Sequence, residues 1–82
     1  MSVSNKLRAL LNLTDHKPPD LADGLGISVQ AVRNKFNRDS FSASDLIKIS
    51  NTLNCELIFK TQDGQIITLT MDDLKIKEEK KP

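Results

Sequence analysis

Eighty-two residues give one small domain with one modest core. Apolar residues make up 38% of the chain and charged residues 28%, the balance of a globular protein rather than of a disordered tail. Net charge is only +1, so attraction for nucleic acid would have to come from local placement of charge. No apolar run approaches the roughly 20 residues of a membrane span, so no membrane partner is expected. The opening MSVSNKLRALLN carries no signal-peptide pattern. Cys55 is the single cysteine, which excludes an internal disulfide and a cysteine zinc cluster. A cytoplasmic location is the expectation.

Val3, Leu7, Leu10 and Leu11 follow the spacing of one apolar helical face and predict a first helix over about residues 3–13. The stretch Thr14-Asp15-His16-Lys17-Pro18 ends it. Proline is tolerated in a first turn, so Pro18 or Pro19 opens a second helix that carries Leu21, Ala22 and Leu25. Gly24 inside it costs about 0.8–1 kcal/mol relative to alanine, and Gly26 is placed to stop it in the left-handed conformation. Ser28 caps a third helix over about 28–37. Ser42 with Asp45 three residues later makes a short-armed capping box for a fourth helix, which carries Leu46, Ile49 and Leu53.

After Asn54 the apolar period changes from that of a helix to that of a strand. Two alternating runs flank Asp63-Gly64, a hairpin at about 55–71. A two-residue loop would pair Phe59 with Thr68. A three-residue loop, Gln62-Asp63-Gly64 with Gly64 left-handed, pairs Phe59 with Ile67 and Leu57 with Leu69. Only the second gives one wholly apolar face, so the bulged hairpin is preferred, with that face packed on the helical core. The domain is therefore expected to span 1–74, followed by a charged, frayed tail over 75–82.

Catalytic chemistry finds no support. His16 is the sole histidine, which leaves no histidine pair and no Cys/His nucleophile. Gly24-Leu25-Gly26 lacks the lysine, third glycine and preceding strand of a phosphate loop. Asp72-Asp73 is read as two acids at the positive end of a short terminal helix rather than as metal ligands. No catalytic residue, metal site or cofactor is expected, and the chain is not read as an enzyme.

The informative stretch is Leu21-Ala22-Asp23-Gly24-Leu25-Gly26-Ile27-Ser28, followed by Val32. A small residue sits where two short helices touch, a glycine sits in the turn, and Ile27 and Val32 lock the next helix in place. The pattern is that of a helix-turn-helix. With Asn37 and the later Ser42, Leu46, Ile49 and Leu53, it resembles the Cro/C1-type (Xre-like) helix-turn-helix family of phage and bacterial repressors over about residues 4–55. The resemblance implies an α+β, mainly α fold: a lambda-repressor-like four-helix domain, here with a C-terminal β-hairpin. It also implies that the third helix enters the DNA major groove. Where the family often has Ser or Thr and then Gln, this chain has Lys17 and Pro18; the family's common Asn-Gly is Asn37-Arg38. Lys35 takes a place that is usually apolar, so Phe36 is expected to fill the core while Lys35 reaches outward.

Val32 and Phe36 lie one turn apart and should face inward, which leaves Val29, Gln30, Arg33 and Asn34 on the opposite side. Gln30 or Asn34 suits adenine, Arg33 suits guanine, and Val29 suits a thymine methyl. Lys17, Ser28, Lys35, Asn37 and Arg38 are expected at phosphates. From Ser28 to Arg38 there are three basic residues and no acidic one. The expected function is a sequence-specific transcriptional regulator, a repressor, of bacterial, phage or mobile-element origin. Its partners would be double-stranded DNA and a second copy of the chain, with half-site centres roughly 34–36 Å apart. The hairpin, through its edge or its Ile58/Ile66 face, is the expected dimer element. The alternatives are the DNA-binding antitoxin of a toxin–antitoxin pair, with a protein partner, and a protein-interaction module without DNA binding.

Overall fold

The computed structural model describes residues 2–74; the tail over 75–82, expected to fray, lies outside the described residues. Four helices precede a hairpin: α1 (Val3–Leu13), α2 (Pro18–Leu25), α3 (Val29–Arg38) and α4 (Ala43–Thr52), then β1 (Leu57–Lys60) and β2 (Ile66–Leu69). A 3₁₀ turn, Met71–Leu74, follows. The fold is α+β and mainly α, with a C-terminal antiparallel hairpin, as the sequence predicts.

Short polar side chains decide where each helix begins. The Ser2 hydroxyl accepts the Asn5 N–H at 3.0 Å, and the Ser28 hydroxyl accepts the Ala31 N–H at 3.0 Å. Ser42 and Asp45 form the expected reciprocal box: the Asp45 N–H donates to the Ser42 hydroxyl and the Ser42 N–H to the Asp45 carboxylate, both at 3.0 Å. At α2 the Asp20 carboxylate accepts the Lys17 N–H at 3.0 Å, and Pro18 and Pro19 occupy positions that need no intrahelical donor. Gly26 ends α2 with φ 71°, and Asp39 ends α3 with φ 53°.

Leu21, Val32 and Ile49 are fully buried where α2, α3 and α4 meet, and Leu7 and Leu11 close the core from α1. Gly24 has a role that helix propensity alone does not reveal. A Cβ there would lie 2.0 Å from Thr52 Oγ1 and 3.0 Å from Thr52 Cβ, so a bare glycine backbone lets α2 approach the end of α4. The stripe expected on α1 needs one correction. Val3 is 46% exposed, whereas Ser4 is 3% exposed. The Ser4 hydroxyl donates to Phe36 O at 3.0 Å and to Asp39 Oδ1 at 2.8 Å, and the Ser4 N–H donates to the same Oδ1 at 2.7 Å. A hydroxyl with partners inside is cheap to bury.

The hairpin has the bulged register. Phe59 pairs with Ile67 and Leu57 with Leu69, the Thr61 N–H donates to Gln65 O at 2.8 Å, and Gly64 has φ 93°. Its expected packing is only half realised. Leu57 and Leu69 are half-buried, but Phe59 is 67% and Ile67 62% exposed. Only the inner end of the hairpin meets α4, across a groove of about 190 Å³ lined by Ile47, Ser50, Cys55, Leu69 and Met71 among others. At Phe59 and Ile67 the apolar face is therefore left without cover from the other described residues.

Candidate nucleic-acid interface

Val32 is fully buried and Phe36 is 6% exposed, so α3 is anchored by one turn-spaced pair, and the opposite face is left to solvent. Gln30, Arg33, Asn34, Asn37 and Arg38 are all exposed. Gln30 Nε2 donates to Asn34 Oδ1 at 3.3 Å, which orders two amide side chains one turn apart on that face. Both still offer donors and acceptors, because each amide group carries more capacity than one hydrogen bond uses.

The remaining expected contacts fall into different environments. Val29, at the first position of α3, is half-buried against the core, so only part of it is presented outward. Ser28 is exposed, with its hydroxyl accepting from Ala31. Lys35 does reach outward from the core, but its ammonium binds the Asp45 carboxylate at 2.9 Å. That carboxylate is held below the usual range: burial pushes it up, and the N–H of Ser42 together with Lys35 outweighs this. Lys35 thus ties α3 to the start of α4, with its side chain still partly exposed.

The structure adds Arg8, which the sequence reading passed over. Its guanidinium lies 4.9 Å from the centre of the Phe36 ring, a cation–π arrangement that holds it beside α3. Phe36 in turn meets Phe41 edge to face, with ring centres 5.2 Å apart. A cleft of about 300 Å³ lies between Arg8, Pro18, Arg33, Phe36 and Asn37. A second, of about 310 Å³, runs from Arg8 past Asn12, Asp15 and His16 to Lys17. Arg8 and Pro18 line both, so Arg33, Arg8 and Lys17 border adjoining clefts, with the Asp15 carboxylate also on the second. The sequence signal for Arg8 was the polar series Ser4, Arg8, Asn12 at helical i, i+4 spacing, a second stripe beside Leu7 and Leu11.

Asp39 follows immediately on the basic segment, yet its carboxylate is turned onto α1. Hydrogen bonds from the Ser4 hydroxyl and then from the Ser4 N–H hold it below the ordinary carboxylate range. It completes the start of α1, whose first turn carries no acidic residue of its own. Among the described residues there is no group of three or more potential metal ligands and no helix long and apolar enough to cross a membrane. No protein family, curated protein or solved structure matches the chain.

Proposed function

We propose that this chain is a cytoplasmic, sequence-specific DNA-binding regulator, a repressor of the Cro/C1-type helix-turn-helix class from a bacterium, phage or mobile element. It would read the major groove with α3 and act as a homodimer. The observation that carries the reading is the division of α3: Val32 and Phe36 buried, Gln30, Arg33, Asn34 and Asn37 exposed together. These side-chain types match base edges, since amides suit adenine and a guanidinium suits guanine. Arg8 and Lys17, with Arg38 at the end of α3, supply charges suited to the flanking phosphates. Lys35, paired with Asp45, is left out of that set.

Selection of bound sites from a random duplex pool, followed by titration of the selected site at several salt concentrations, tests the proposal. Affinity should fall steeply as salt rises. Gln30→Ala and Arg33→Ala should each cost about 1–3 kcal/mol and relax preference at particular base pairs. Arg38→Ala and Lys17→Ala should weaken all sequences alike and lower the salt slope by about one. A chain that selects no site and shows no salt-dependent duplex binding is not a DNA regulator.

A further inference from the structure

We propose that Asp63 is a site of spontaneous covalent change, where the Gly64 nitrogen closes on the Asp63 side-chain carbon and an isoaspartyl linkage results, and that Thr61 and Gln65 hold this reaction dormant. The inference is independent of DNA binding and concerns the hairpin loop alone. An aspartate followed by glycine is the pair most open to this chemistry, because no side chain on the second residue hinders the attack. The chain contains two such pairs, Asp23-Gly24 and Asp63-Gly64, and the structure separates them. Gly24 lies within α2, its backbone held in the helix, and a Cβ there would lie 2.0 Å from Thr52 Oγ1. Asp63 and Gly64 are exposed, and a Cβ on Gly64 would meet no atom within 4 Å. The Asp63 carboxyl therefore has room to swing over the Gly64 nitrogen.

In the step itself, the Gly64 N–H gives up its proton, the nitrogen lone pair forms a bond to Asp63 Cγ, and one carboxyl oxygen leaves as water. The product is a cyclic succinimide, lighter by one water. Water then adds back at either ring carbonyl. Opening at Cγ restores aspartate, whereas opening at the Asp63 main-chain carbonyl leaves Gly64 joined through the side chain. Three hydrogen bonds oppose the step. The Gly64 N–H donates to Thr61 O at 3.0 Å, so losing its proton breaks a turn bond. The Thr61 hydroxyl donates to Asp63 Oδ1 at 2.5 Å, and the Gln65 side-chain amide donates to Oδ2 at 3.3 Å. The Thr61 bond also holds the carboxyl below its ordinary range, so the protonated form, which loses water readily, is scarce. Isoaspartate would insert Asp63 Cβ into the main chain of a loop whose length sets the register. Phe59 would no longer be fixed opposite Ile67, while the helical core, to which neither residue belongs, would remain.

Ageing of the full chain at neutral pH, followed by peptide mass spectrometry and enzymatic methylation of isoaspartyl carboxylates, tests the inference. In urea both Asp-Gly pairs should react at similar rates, and in the folded wild type both should be slow. Folded Thr61→Val should react at Asp63 at least about tenfold faster than wild type, the scale of one hydrogen bond to a charged group, with Asp23 unchanged. Gln65→Ala should give a smaller rise, about threefold. Thr61→Ser, which keeps the hydroxyl, should match the wild type, and Asp63→Glu should abolish the product. Cross-strand NMR contacts between Phe59 and Ile67 in unaged Thr61→Val show whether its hairpin is intact. If that hairpin opens, Gln65→Ala decides, because it leaves the Thr61 bonds in place. A variant with an intact hairpin that ages at the wild-type rate would overturn the inference. So would a folded wild type that reacts at Asp63 as fast as it does in urea, or a folded Thr61→Val that reacts equally at Asp23 and Asp63.

Discussion

Replacing Gly24 by alanine sets two known effects against each other. In an ordinary helix interior the change stabilises by about 0.8–1 kcal/mol. In this protein the new methyl would lie 2.0 Å from Thr52 Oγ1, 3.0 Å from its Cβ and 3.1 Å from its Cγ2. The hydroxyl could rotate away only by losing its bond to Lys48 O at 2.9 Å, and the Cβ moves only if the α4 backbone moves. Overpacking of this kind costs about 1–3 kcal/mol, and contact with three atoms places it at the upper end. The clash therefore wins, and Gly24→Ala should lose about 1–2 kcal/mol, or roughly 5–15 °C in melting temperature for a domain of this size. Thr52→Ala alone should be nearly neutral, because its hydroxyl bonds only its own helix. The double variant should recover most of the loss, with a coupling of about 1 kcal/mol or more in a double-mutant cycle read by urea denaturation. A Gly24→Ala protein that melts higher than wild type would refute the close approach of α2 to α4.

Asp39→Asn should flatten the acid limb of stability. A carboxylate with a depressed native pKa stabilises fully above the ordinary range and loses that contribution as pH falls from about 4 through the native value. The wild-type minus variant difference in urea midpoint should shrink over that window, and a difference independent of pH would contradict the Ser4–Asp39 contact. Arg8→Ala should cost less than about 1 kcal/mol of stability yet lower the salt slope of duplex binding by about one; an unchanged slope would take Arg8 out of the phosphate contacts. Phe59→Ala should cost under about 1 kcal/mol in the monomer, less than Leu57→Ala, as thermal unfolding at low concentration would show. The opposite order would mean that the outer hairpin packs on the core after all.

The parts of the fold that were legible in the sequence are those set by neighbours along the chain. Ser28, the Ser42–Asp45 box and Gly26 each act within a few residues, and the helix boundaries follow from them. Hairpin register was legible for the same reason, since alternation and Gly64 together allow one pairing that puts Phe59 opposite Ile67. Alternation states which residues share a face, but not whether another element covers it. For that reason alternation predicts a buried Phe59, whereas the side chain is largely exposed. Ser4 was missed because its partners, Phe36 O and Asp39, lie more than thirty residues away, and a serine next to an apolar stripe gives no sign of them. Of the candidate interface, the exposed side of α3 could be read from helical phase, whereas Arg8 and the engagement of Lys35 by Asp45 depend on how α1 and α4 are placed.

The Asp39 carboxylate gives two helix ends a common fate. In isolated helices each terminus frays on its own, with its outer amides exchanging freely with solvent. Here the first turn of α1 and the last turn of α3 are held by the same oxygen, through Ser4 N–H and hydroxyl at 2.7 and 2.8 Å. Opening either end breaks both bonds, so the two turns open as one cooperative unit although they are remote in sequence. Asn37 and Arg38 stand at the α3 end that these bonds tie to α1, and order already present in the fold need not be supplied by whatever binds there.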